Sequence, residues 1–196
     1  MAEPIGKRET LLREARRLFY TRGIRAVGVD MVAAKSGVSK MTLYSYFGSK
    51  DGLIVACLES VDDRYRVWLQ EQVSAGGLAP EDQILGIFDA LQAWFAKPTF
   101  RGCVFVNATV ELADPEHPAH GPILNHKHHM RQWITGLAAE AKLRDPAAVG
   151  SHVLMLMEGA VITALIDQDA TAAERGKELA GYVIAAHSPA RVVEVT

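Results

Sequence analysis

The chain has 196 residues, 49% hydrophobic and 22% charged, a composition that supports a packed core and excludes a disordered or fibrous protein. The formal charge of −2 hides a division, because residues 1–50 carry +6 and the remainder −8. A basic quarter joined to an acidic remainder implies that one part faces a polyanion such as nucleic acid; a solvated helix face explains the same charge, and charge alone leaves both open.

Three features bear on location. The longest nearly unbroken apolar stretch, 153–166, contains Glu158 and falls short of the roughly 18 residues of a membrane helix, so no membrane is expected. Met1-Ala2-Glu3-Pro4 lacks a basic segment followed by an apolar run, which predicts a cytoplasmic protein. Cys57 and Cys103 have neither metal-site nor disulfide spacing and are expected as reduced thiols.

The elements read as helices throughout. Leu11, Leu12, Ala15, Leu18 and Phe19 recur at helical spacing over 7–22, with Gly23 as the stop. A short helix over 30–36 meets Gly37, and Ser39 caps another that runs to Phe47. Ser49 caps a long helix to about residue 73, with Leu53, Ile54, Cys57, Leu58, Val61, Tyr65 and Trp68 as its apolar series. The run Gly76-Gly77-Leu78-Ala79-Pro80 breaks the chain. Further helices are expected over 81–96, 102–113, 120–143, 146–167 and 171–187, closed or opened by Pro98, Asp114-Pro115, His120-Gly121-Pro122 and Asp145-Pro146.

Residues 29–47 meet the requirements of a helix-turn-helix: a packing helix, a small residue at the turn, and a second helix with polar side chains for the major groove. Val32, Ala33, Val38, Leu43 and Phe47 form the apolar side. Lys40 and Thr42 are placed for base edges, with Met41 beside them, Ser45 on the same outer side, and Tyr44, Tyr46 and Lys50 suited to phosphate oxygens.

Residues 7–60, above all Thr42-Leu43-Tyr44-x-Tyr46-Phe47-x-Ser49-Lys50, resemble the DNA-binding domain of TetR/AcrR-type transcriptional regulators. One departure is Gly28, where members of that family usually carry Ser or Thr as a helix cap that touches a phosphate. The resemblance implies an all-α homodimer of about nine helices per chain. It places a DNA-binding domain at 1–48, a connecting helix from about 49, and a ligand-binding and dimerisation domain at 49–196. The expected function is a repressor on a pseudo-palindromic, double-stranded operator, released by an unknown small-molecule effector, with no enzymatic activity and no cofactor.

In the body, Cys103, Asn107 and Glu111 fall at i, i+4 and i+8 and read as a nucleophile with polar partners, as polar handles of a ligand pocket, or as structural groups. Five of seven histidines cluster at His117, His120, His126, His128 and His129; His126 and His129, with Glu111 as a third ligand, raise a metal site, although a pocket wall formed with Trp133 is preferred and no metal is expected. Trp94, Met130 and Glu158 complete the candidate effector residues, with aromatic and Met positions equally readable as core. The helix over 146–167 is apolar on nearly all sides, so it is expected to bury one face in its own core and the other, with the last helix, against a second copy. The competing reading is a small helical enzyme or metal-binding protein that uses Cys103, Asn107, Glu111, His126 and His129. That reading leaves the basic head unexplained.

Overall fold

The computed structural model describes residues 6–74 and 77–189; Met1–Pro4 and Gly76, on which two of the expectations rest, lie outside the described residues. Among the described residues the chain forms nine helices and no strand: α1 (Lys7–Arg22), α2 (Val29–Ser36), α3 (Lys40–Phe47), α4 (Lys50–Ser74), α5 (Pro80–Phe95), α6 (Val104–Glu111), α7 (His120–Glu140), α8 (Pro146–Asp167) and α9 (Ala172–His187). The all-α expectation holds.

The contacts divide into two compact units. The first contains residues up to Tyr65 together with Cys103–His126. Its core joins Leu11, Leu12, Ala15, Leu18 and Phe19 of α1 to Val32 of α2, Leu43 of α3, and Leu53, Ile54, Cys57 and Leu58 of α4; Phe105 and Ala108 of α6 belong to the same cluster. Along α1, α4 and α6 these positions repeat at three and four residues, which turns them to one side, and each fully buried Leu contributes about 1.5–3 kcal/mol. Ser39 caps α3 by accepting from Thr42 N–H at 3.1 Å, and Ser49 accepts from Gly52 N–H at 2.9 Å before α4. Gly28 precedes α2 with no side-chain cap, as its departure from the family pattern predicts.

The second unit contains 66–102 and 127 onward. Its α5, which buries Ile84, Ile87, Phe88 and Leu91, packs on α8 and α9, so close that a methyl added at Gly176 of α9 would lie 2.7 Å from Phe88 Cε1. Asp145 caps α8 by accepting from Ala148 N–H at 3.1 Å, with Pro146 at the first helical position.

The expectation that the apolar stretch falls short of a membrane span is corrected. α8 takes in 22 residues with a window of mean hydropathy 1.7, and by length and composition alone it could cross a bilayer. Its Val149, Val153, Leu154, Met157, Ala160, Val161 and Ala164 are instead buried in the unit, while Met155, Ile162 and Ile166 remain exposed.

Candidate nucleic-acid interface

The recognition helix α3 turns Leu43 wholly into the core and leaves Phe47 half-buried, which directs Lys40, Met41, Tyr44, Ser45 and Tyr46 outward. Met41 is 82% exposed, far outside the range expected of a core methionine, and therefore sits on the helix's presented face. Arg8 of α1 lies over the Phe47 ring at 5.5 Å and braces the end of the helix.

Three of the expected DNA contacts are already engaged. Lys40 Nζ lies 2.9 Å from Asp30 Oδ1 of α2, and the hydrogen bond and charge of that carboxylate raise the lysine above its ordinary pKa. The Thr42 hydroxyl is 2.8 Å from that of Ser39, so it belongs to the cap as well as to the presented face. Lys50 Nζ donates to Ile24 O at 2.8 Å and is half-buried, which commits one of its three protons to the turn between α1 and α2.

That same turn is gripped from the other side. Glu111, the last residue of α6, accepts from Arg25 N–H at 2.9 Å, and Gly23 in the turn has φ +87 and ψ 150, a conformation essentially reserved for glycine. Of the readings open for Glu111, the geometry favours the structural one, since its carboxylate holds the head. Cys103 is the N-cap residue of α6 and Asn107 is half-buried on that helix.

The reading of His126 with His129 as a shared metal pair or a pocket wall meets a different geometry. His126 is buried, donates from Nδ1 to Asp62 Oδ1 of α4 at 2.7 Å, stacks on Phe105 with ring centroids 3.7 Å apart and meets Tyr65 edge-on, whereas His129 is exposed. Among the described residues, no group of three His, Cys, Asp or Glu is arranged to hold a metal ion. In the second unit, Met130 is buried in the core, Trp133 is half-buried, Trp94 packs edge-on against Phe100 at 5.1 Å, and Glu158 pairs with Lys127 at 2.7 Å. Burial pushes the Cys57 thiol up to about 12, so that cysteine is packing.

Sequence reasoning missed Asp30, Asp62 and the Ile24 carbonyl. Two of them left a signal: Asp30 is the one acid between residues 15 and 50, and Asp62 interrupts the apolar series Leu58, Tyr65, Leu69 at helical spacing.

Comparison with known proteins agrees with this geometry. Residues 11–57 match the model of bacterial regulatory proteins of the tetR family, and residues 80–179 match the tetracyclin repressor-like C-terminal domain. The chain is 31% identical over 108 residues to the transcriptional repressor NemR of Escherichia coli K12, covering 55% of this chain and 54% of NemR. It is 28% identical over 92 residues to the repressor KstR2 of Mycolicibacterium smegmatis, covering 45% of this chain and 43% of KstR2. The chain thus spans about half the length of the curated relatives it matches. A TetR-family regulator from Streptomyces coelicolor superimposes with a TM-score of 0.84 at 31% identity, covering 93% of this chain and 96% of that one. The reduced form of Escherichia coli NemR shares the fold, with a TM-score of 0.84 at 23% identity, over 94% of this chain and 98% of that one. The chain belongs to the tetR family of bacterial regulatory proteins and carries that family's DNA-binding head.

Proposed function

We propose that the protein is a transcriptional repressor that binds a pseudo-palindromic operator as a homodimer and is released by a small-molecule effector. The observation that carries this reading is the capped α3 with Leu43 buried beneath an outward row of Lys40, Met41, Tyr44, Ser45 and Tyr46. Two such helices, one per protomer, must enter major-groove half-sites roughly 34–36 Å apart or multiples of that. The dimer is supported by the apolar face that α8 and α9 leave uncovered, Met155, Ile162, Ile166, Leu179 and Tyr182. Action on DNA supports the cytoplasmic location expected from the sequence.

An effector shifts DNA affinity only by the difference in its affinity for the two conformations of the protein. The residues proposed to meet it are Trp94, His129 and Trp133 of the second unit, since Glu111, His126 and Glu158 are engaged by Arg25, Asp62 and Lys127. Movement of α6 would reach the head through Glu111 and the turn at Arg25, and movement of α4 through Lys50. The test is anisotropy of the purified protein on the DNA beside its own gene over a salt series, against an unrelated duplex, followed by ligand titration. Tight binding to the first duplex alone, weakened by a ligand, supports the reading; equal weak binding to both in ligand-free protein overturns the operator assignment.

A further inference from the structure

Between residues 15 and 50 the chain carries seven Lys and Arg and a single acid, Asp30. That carboxylate stands in the first turn of α2, and its Oδ1 is 2.9 Å from Nζ of Lys40, the first residue of the recognition helix. Both side chains are exposed, Asp30 at 81% and Lys40 at 49%. Exposed ion pairs add little to stability, so the fold gives little reason for this one. The dipole of α2 accounts for an acid in its first turn; it does not account for the reach of that acid to the base-reading lysine.

We propose that Asp30 is a specificity-determining residue, which keeps Lys40 neutralised against the DNA backbone so that the lysine strengthens binding only where a base edge receives its protons. The proposal rests on α3 being the helix that reads DNA. Sequence-independent affinity comes from Lys and Arg that neutralise phosphates and release counterions. A lysine already paired with a carboxylate brings no net charge to a phosphate, and moving it there would strand Asp30 beside a polyanion. Guanine presents the neutral acceptors O6 and N7 in the major groove, and an ammonium group has three protons. Lys40 can therefore keep one proton on Asp30 and give the others to a guanine. The carboxylate thus penalises the phosphate contact and spares the base contact.

The test compares wild type, Asp30→Asn, Lys40→Ala, the double variant, and Asp167→Asn, which makes the same charge change at an exposed position of α8. Each is titrated by anisotropy over a salt series on a duplex selected by the wild-type protein from a random pool, and on a scrambled duplex. Asp30→Asn is expected to bind the scrambled duplex several-fold tighter, with a slope of log affinity against log salt steeper by about one unit. Its affinity for the selected duplex changes less, so the ratio of the two falls. The double variant and Asp167→Asn lose this gain. An unchanged slope in Asp30→Asn, or a gain that survives removal of Lys40, overturns the proposal. If Lys40→Ala binds both duplexes as the wild type does, the assignment of α3 itself fails, a result distinct from a silent Asp30→Asn.

Discussion

The carboxylate of Glu111 accepts a hydrogen bond from the backbone N–H of Arg25 at 2.9 Å, across 86 positions of the chain. It ties the last turn of α6 to the turn that separates α1 from α2, where Lys50 holds the neighbouring carbonyl of Ile24 from the other side. Removing the acceptor leaves an amide without its partner and the turn with one anchor. Glu111→Ala is expected to cost about 1 kcal/mol in urea unfolding and to weaken operator binding, while Glu111→Gln, which keeps an acceptor oxygen, costs less. Operator affinity equal to wild type in Glu111→Ala would separate α6 from the head.

Gly23 faces the same carboxylate. A methyl there would lie 3.0 Å from Glu111 Oε2, on a backbone with φ +87. Gly23→Ala is therefore expected to lower stability by about 1–3 kcal/mol, read as a drop in melting temperature. Gly28→Ala is the control, since φ there is −88 and nothing lies within 4 Å of the added atom. A similar loss in both variants would sink the argument from conformation.

The pair formed by Asp62 and His126 is a buried polar link between α4 and α7, enclosed by Phe105 and Tyr65. Taking away the carboxylate removes a hydrogen bond from the buried His126, and Asp62→Ala is expected to destabilise by about 1–3 kcal/mol. Replacing both with apolar residues, as in Asp62→Leu with His126→Leu, should recover much of that loss. A double-mutant cycle by denaturant titration measures it; strictly additive losses would mean the two residues act separately.

Cys57 gives a pH signature. Its thiol ionises at about 12 in the fold, raised from 9.0 by burial, so the unfolded chain releases that proton first as pH rises. The contribution is fully present below pH 9 and is lost between pH 9 and about 12, where unfolding is accompanied by proton release. Cys57→Ala should flatten this part of the stability profile, and native Cys57 should resist alkylation at pH 8 while the unfolded chain reacts. Rapid native labelling at Cys57 would contradict its burial.

Met155 and Ile166 on α8 are 71% and 73% exposed. If that face meets a second copy, Met155→Glu with Ile166→Glu buries uncompensated charge and raises the dimer dissociation constant by about a hundredfold. Sedimentation velocity reads the change, with operator binding lost in parallel. A dimer that persists unchanged would move the interface elsewhere.

Much of the architecture is written locally. The repeat of Leu11, Leu12, Ala15, Leu18 and Phe19, the turn at Gly37 and the cap at Ser39 each depend on residues a few positions apart, and all nine helices follow from such spacing. Helical spacing names a face and never the partner across from it. Glu111 with Arg25, Asp62 with His126, and Lys50 with Ile24 join residues 26 to 86 positions apart, so each was legible only as a polar group awaiting a use. The charge that suits Lys50 to a phosphate was visible in the sequence, and the Ile24 carbonyl that takes one of its protons was not. The helix over 146–167 was legible with its observed bounds, whereas its apolar run was counted only from 153 to 166.

Phe105 and Ala108 share one core with Leu11, Leu18, Leu43 and Leu58. This bears on how such a protein can be taken apart or recombined. A fragment ending at residue 65 would present to water the surface that Phe105 fills, and a graft of this reading head onto another sensor would inherit the same gap. A transplant that keeps its stability must carry α6 with it, or supply a side chain of equal volume from the recipient. The portable module is discontinuous in sequence, and an exchange of regulatory parts by a single crossover after the head would be selected against at the level of folding before operator choice was ever tested.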